Sequence, residues 1–168
     1  MRAALGLGSN LGDRWSLLAD AVAKLRELDS AALVSSVYET APVGGPAEQG
    51  PYLNCVVVLE TDRSAVELLH LAHELEAGAN RVRAVRFGPR TLDVDVLLYG
   101  DEVSDDPTLT LPHPRMYERA FVLAPLAEVA PELTPTRWIS ALGGAAAVAG
   151  EVQRVGALLA PTPESLET

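Results

Sequence analysis

The sequence predicts an α+β fold: an antiparallel sheet with two helices packed on one face of it, in the element order βαββαβ of ferredoxin-like domains, followed by a C-terminal extension. Three observations lead there. Short apolar, β-branched runs alternate with two amphipathic stretches, and the two middle runs follow one another with only a loop between. The chain of 168 residues, 48% hydrophobic, is also the right size for one well-filled core. A single domain over residues 1–160 is expected, with 161–168 a frayed tail.

Each element has its own signal. Ala3 to Gly8 is a short apolar strand, and the turn after it ends in Asp13, a good helix N-cap. From Trp15 the apolar residues recur at Leu18, Val22 and Leu25, the stripe of an amphipathic helix stopping near Asp29. Leu33 to Thr40 and Leu53 to Thr61 are strands, separated by a Gly/Pro-rich loop from Pro42 to Pro51. Ser64 and Glu67 form a capping box ahead of a helix with the core stripe Leu68, Leu71, Leu75, ending near Gly78. An arginine-rich loop leads into a fourth strand, Leu92 to Tyr99. Beyond Gly100 come a polar turn, the rigid run Leu111-Pro-His113-Pro, an apolar helix from Arg115 interrupted by Pro125, and an Ala/Gly-rich stretch from Ser140 to Ala160 that reads as weak helix.

Composition excludes several classes of function. The net charge of −10 disfavours general nucleic-acid binding. Twelve of the thirteen basic residues are Arg, and the lone Lys24 lies in a helical pattern without a glycine loop, so there is no P-loop. The longest uncharged run near the C-terminus, Trp138 to Gly150, has thirteen residues with three glycines, too short for a membrane span. One cysteine, Cys55, and no secretory pattern point to the cytoplasm.

The residues able to do chemistry cluster late in the core. In the strand beginning at Leu92, a period of two puts Leu92, Val94, Val96 and Leu98 on one face and Asp93 and Asp95 on the other. The two carboxylates are then roughly 7 Å apart and suit Mg²⁺, which takes one or two carboxylates plus substrate phosphates; a solvated strand face is the bland alternative. Arg81, Arg83, Arg86 and Arg90, a third of the arginines, immediately precede them. Guanidinium groups beside a metal supply what phosphoryl transfer needs, positioning and charge neutralisation; surface pairing with nearby acids is the plain alternative. Tyr52 and Asn54 offer an aromatic face and an amide edge to a flat heteroaromatic ring, and Phe121, two residues after Arg119, has the same ambiguity between ligand stacking and packing. His70, His73 and Glu74 lack zinc spacing, His113 is held stiffly between prolines, and Cys55 reads as a small buried hydrophobe.

Together, Leu7-Gly-Ser-Asn-Leu-Gly-Asp13, Tyr38-Glu-Thr-Ala-Pro-Val43, Tyr52-Leu-Asn54, Arg81-Val-Arg83, Arg86-Phe-Gly-Pro-Arg-Thr-Leu-Asp-Val-Asp95, Leu111-Pro-His-Pro-Arg115 and Arg119-Ala-Phe121 make residues 3 to 133 resemble the 6-hydroxymethyl-7,8-dihydropterin pyrophosphokinase family of folate biosynthesis. The resemblance implies transfer of pyrophosphate from ATP to the pterin hydroxymethyl group, giving AMP, with two Mg²⁺ ions. It implies that Asp93 and Asp95 hold the metals and that Arg81 and Arg90 are catalytic arginines. It further implies His73, Glu76, Arg83, Arg86, Phe87, His113 and Arg119 by the nucleotide. Tyr52 and Phe121 would sandwich the pterin, with Asn54, Thr40 and Val43 completing its recognition. Asn80 stands where the family usually has Gly, a substitution that a left-handed backbone at a helix end accommodates. Phe87 replaces the usual Trp. The expected partners are ATP and the pterin, without nucleic acid or membrane, and the expected state is a monomer or weak dimer. Another Mg²⁺-dependent phosphotransferase, or an inactive nucleotide-binding module on the same fold, is the competing reading.

Overall fold

The computed structural model describes residues 1–42, 47–80, 90–141, 143–144 and 152–158. Strand β1 (Arg2–Ser9) leads through the Gly12 turn to helix α1 (Arg14–Arg26), capped by Asp13, whose carboxylate accepts from Ser16 N at 3.1 Å. β2 (Leu33–Val34) and β3 (Ser36–Thr40) follow, then β4 (Tyr52–Glu60) and helix α2 (Ala65–Gly78). The capping box forms as expected: Ser64 N donates to Glu67 Oε2 at 2.7 Å, and Glu67 N donates to Ser64 Oγ at 3.3 Å. After α2, Asn80 adopts φ 54°, the left-handed conformation that its place after the helix calls for. β5 (Asp93–Tyr99) completes the predicted set.

The sheet is antiparallel throughout, in the order β5-β1-β4-β3, with β2 also paired to β4. Apolar side chains of α1 (Leu18, Val22, Leu25) and α2 (Leu68, Ala72) bury one sheet face together with Leu5, Leu7, Val57, Leu59, Val94 and Val96. The 3.6-residue stripes of the helices and the period of two in the strands thus meet in one core.

Several expectations need correction. The run from Leu33 to Thr40 is two strands rather than one. Ser35 interrupts it, donating its N–H to Val56 O at 3.0 Å and accepting Val56 N–H on its hydroxyl at 2.9 Å. Helices cover both sheet faces, since α3 (Ala120–Val129) packs Val122 and Leu126 against Ala4, Val56 and Val58 on the side opposite α1 and α2. Leu98 does not share the face of Leu92, Val94 and Val96. The pairing of β5 with β1 shifts between Ala4 and Leu5, an inserted residue resets the alternation, and Leu97 and Leu98 join the α3 side while Tyr99 returns to the first core.

The polar segment after Gly100 holds a hairpin, β6 (Ser104–Asp106) and β7 (Leu109–Leu111), where only a turn is expected. A 3₁₀ turn at Met116–Glu118 precedes α3, another at Pro131–Leu133 follows it, and α4 (Thr136–Ala141) is a short helix. Within the stretch read as weak helix, Gln153–Ala157 is instead a strand, β8, pairing antiparallel with β3 at the sheet edge. The tail at 161–168 lies outside the described residues.

Removing the Ser64 hydroxyl takes away the acceptor of Glu67 N–H and the hydroxyl's own bond to Glu67 Oε2 at 2.8 Å, leaving only the Ser64 N–H bond of the capping box. Ser64→Ala is expected to lower the unfolding free energy by about 1 kcal/mol, read as a lower midpoint in urea with an unchanged slope.

Candidate functional site

The α3 side of the sheet carries a cleft of about 410 Å³, whose floor follows from strand pairing. Asp93 of β5 lies opposite Gly8 of β1, Gly8 lies opposite Asn54 of β4, and Asn54 lies opposite Tyr38 of β3. One residue pair along, Asp95 lies opposite Gly6 and Gly6 opposite Val56. Directly paired residues share a face, so the even-numbered positions of β1, both glycines here, present bare backbone between the aspartates and Asn54. A β-carbon at Gly8 would come within 2.9 Å of Asn54 Oδ1 and 3.7 Å of Tyr52 Cδ1; one at Gly6 would sit 3.4 Å from Leu97 Cδ1. Gly6 and Gly8 are thus site residues that the reading of single motifs missed. Their signal was available, because glycine at alternate positions in a strand marks close approach of a ligand or another backbone.

Of the residues singled out in the sequence, the structure brings Thr40, Tyr52, Asn54, Arg90, Asp93, Asp95, Arg119 and Phe121 to the walls of this one cleft. Pairing of β3 with β4 puts Thr40 opposite Tyr52, and Asn54 Nδ2 donates to Thr40 Oγ1 at 2.9 Å, fixing which edge of the amide faces the threonine. Arg90 donates from Nη1 to Asp93 Oδ2 at 2.5 Å. Its backbone is held too: Arg90 N donates to Asn10 Oδ1 at 2.8 Å, and Asn10 N donates to Arg90 O at 3.0 Å. Asn10 Nδ2 reaches the other side of the cleft, donating to Gly50 O at 3.2 Å and Gln49 Oε1 at 3.3 Å.

Asp95 faces two further basic groups, with Arg119 Nη1 3.5 Å and His113 Nε2 3.8 Å from its Oδ2. His113 is brought there by its own N–H, which donates to Leu97 O at 2.8 Å. Burial, then the negative charge of Asp93, raises the Asp95 carboxyl above its ordinary value despite His113, Arg119 and Arg90. Burial likewise pulls His113 below the usual imidazole range, against the raising effect of Asp95, and lowers Arg119. The cations beside Asp95 thus offset only part of what burial and Asp93 do to it. Arg119 also lies over the Phe121 ring, 5.5 Å from its centroid.

The structure does not gather every expected residue at the cleft. His73 is exposed on α2, and Glu76, on the same helix, is buried beneath β5, where its Oε1 accepts Val94 N–H at 3.0 Å. Neither is among the residues lining this cleft, and Glu76 secures the start of the strand that presents the aspartates. Cys55 is buried, and burial pushes its thiol up to about 12, so it is no nucleophile. Val43, Arg81, Arg83, Arg86 and Phe87 lie outside the described residues. Among the described residues no three His, Cys, Asp or Glu side chains converge as a metal cage, and no helix is long and apolar enough to cross a membrane.

Comparison with known proteins gives this geometry a context. Residues 4–131 match the family model described as 7,8-dihydro-6-hydroxymethylpterin-pyrophosphokinase (HPPK). The chain is 48% identical over 127 residues to the 2-amino-4-hydroxy-6-hydroxymethyldihydropteridine pyrophosphokinase of Bacillus subtilis, covering 74% of this chain and 75% of the relative. It is 47% identical over 135 residues to the protein of the same name from Methylorubrum extorquens, covering 79% and 84%. Among solved structures, a Plasmodium falciparum HPPK-DHPS crystallised with pterin and p-hydrobenzoate superposes with a TM-score of 0.58 at 14% identity, over 91% of this chain and 47% of that one, a likeness of fold. With the matched segment carrying the whole sheet up to β5 and the α3 wall of the cleft, the chain belongs to the 7,8-dihydro-6-hydroxymethylpterin pyrophosphokinase family.

Proposed function

We propose that this protein transfers the pyrophosphoryl group of ATP to the hydroxymethyl oxygen of 6-hydroxymethyl-7,8-dihydropterin, releasing AMP, as a step of folate biosynthesis. The observation that carries this reading is the single cleft in which a stacking and amide surface (Tyr52, Phe121, Asn54) adjoins paired carboxylates and arginines (Asp93, Asp95, Arg90, Arg119). A flat polar ring calls for the first and a polyphosphate for the second, and only a reaction joining the two needs both side by side. Strand order β5-β1-β4-β3 supports assigning the core to the ferredoxin-like class. Membership of the family supports the activity.

In this reading Tyr52 and Phe121 hold the ring between them while Asn54, its amide oriented by Thr40, bonds the ring edge. The hydroxymethyl oxygen then lies over the glycine floor, in line with the β-phosphorus. Attack forms the new P–O bond as the bond from the β-phosphorus to the oxygen bridging to AMP breaks, the hydroxyl proton passes to water, and the charge gained by AMP is stabilised by guanidinium groups. Arg90, paired with Asp93, and Arg119, paired with Asp95, are placed to do this. The donor set fits Mg²⁺: two hard carboxylates on one strand face, leaving the remaining coordination positions to phosphate and water. Asp93 and Asp95 would hold the ions, two in number, whose chemistry is to neutralise the phosphate oxygens. His73, Glu76, Arg81, Arg83, Arg86, Phe87 and His113 belong to the proposed nucleotide side, and Val43 to the pterin side. We further place the protein in the reducing cytoplasm, supported by its single buried cysteine.

The deciding test is incubation with Mg-ATP and the reduced pterin, with the nucleotide product identified by chromatography. Pterin-dependent AMP is expected, and ADP would instead establish an ordinary kinase. Arg90→Ala should lower kcat roughly 10²-fold while changing KM for ATP far less, as steady-state kinetics would show.

The raised Asp95 carboxyl has a definite sign. A group whose value is higher folded than unfolded favours the fold while protonated and loses that advantage as pH rises through the raised value. Asp95→Asn is therefore expected to melt above the parent at pH 7 without Mg²⁺, and to lose roughly 10²- to 10³-fold in turnover. Thermal scans at pH 7 and pH 5 should show the gap between the two proteins narrowing at the lower pH. Gly8→Ala drives a methyl group into Asn54 Oδ1, so pterin KM should rise by roughly tenfold or more, the loss of about one good polar contact, with KM for ATP little changed.

A further inference from the structure

The family match ends at residue 131, yet the cleft has a wall residue that comes later, Val152, just ahead of β8. Val152 is buried and forms with Ala120 a small cluster against which Phe121 and Tyr38 pack. It thus stands behind the ring that closes one side of the proposed pterin pocket.

What holds Val152 there is a polar chain across three elements. Arg154 Nε donates to Ser36 Oγ at 2.6 Å, and the same hydroxyl donates to Glu128 Oε1 at 2.8 Å. Glu128 also accepts Ser36 N–H at 3.0 Å and Tyr38 O–H, on Oε2, at 2.8 Å. Glu128 is two turns along α3 from Phe121, so the bonds tying β8 to β3 also fix the helix that carries the aromatic wall. On the other sheet face Trp15 lies on the backbone of Gly156, close enough that a β-carbon there would be 2.7 Å from the indole Cη2.

We infer that Val152 is a specificity-determining residue for the ring substrate and Arg154 a positioning residue for it. Val152 limits how far the Phe121 ring can retreat, and Arg154 holds Val152 in register through Ser36 and Glu128. This inference rests on the pyrophosphokinase reading. It assigns a role in substrate choice to the strand that follows the matched segment.

The test compares wild type with Val152→Ala, Val152→Ile and Arg154→Ala, measuring kcat, KM for hydroxymethyldihydropterin and KM for ATP. It also measures the preference in kcat/KM for that pterin over an analogue bearing an added ring methyl group. Val152→Ala should raise pterin KM by roughly fivefold, leave ATP KM within about twofold, and reduce the preference by roughly tenfold, the scale of one or two methylenes in an apolar pocket. Val152→Ile, which keeps the core filled, should increase the preference. Arg154→Ala should reproduce the rise in pterin KM with kcat nearly unchanged. Parallel changes in both KM values, or a lower melting temperature with neither KM altered, would reduce β8 to a structural role and overturn the inference alone. A wild type giving no pterin-dependent AMP would overturn the proposed function, and this inference with it.

Discussion

Everything at this site depends on making one strand serve two opposed environments. β5 must turn Val94 and Val96 into an apolar core while turning Asp93 and Asp95 to the other side, where both carboxylates are part-buried. Two like charges at adjacent positions on one face repel, and burial removes the water that would screen them. The surroundings answer in kind. Arg90 pairs with one, Arg119 and His113 with the other, and Glu76 grips the strand backbone from beneath so that its register cannot slip. A slip of one residue would exchange the aspartates with the valines.

The same requirement explains the character of β1. A central strand is ordinarily the place for bulky β-branched residues, and Gly6 and Gly8 weaken it there. Their value is spatial, because they clear the floor between the acidic strand and Asn54, and the lost side-chain packing is offset on the other face by Leu5 and Leu7. Stability and site geometry are thus divided between the two faces of a single strand.

The sequence was most informative where local chemistry decides structure. The Asp13 and Ser64 caps, the left-handed Asn80 and the opposed faces of Asp93 and Val94 each follow from a few neighbouring residues. It was least informative where a partner decides. Leu98 reads as core by alternation, and only the bulge opposite Ala4 and Leu5 moves it to the other face. Gln153–Ala157 has no alternating apolar pattern because an edge strand buries little, so its strand character comes from the hydrogen bonds that β3 offers. The paired aspartates with Arg90 could be seen at a distance of a few residues. That Arg119 would meet Asp95, or Val152 would back Phe121, required the chain to fold across the sheet.

Asn10 lies outside the chemistry and still touches both halves of it. One amide side chain binds the backbone at Arg90, on the acidic side, and at Gly50, across the cleft. Two segments tied to a common post do not move independently, so restricting one removes freedom from the other before its own ligand arrives. The entropy of ordering would then be divided between two binding events rather than charged in full to each, so that either ligand would favour the other with no contact between them. A joint of this kind would give the cleft a preference for being wholly occupied over half occupied.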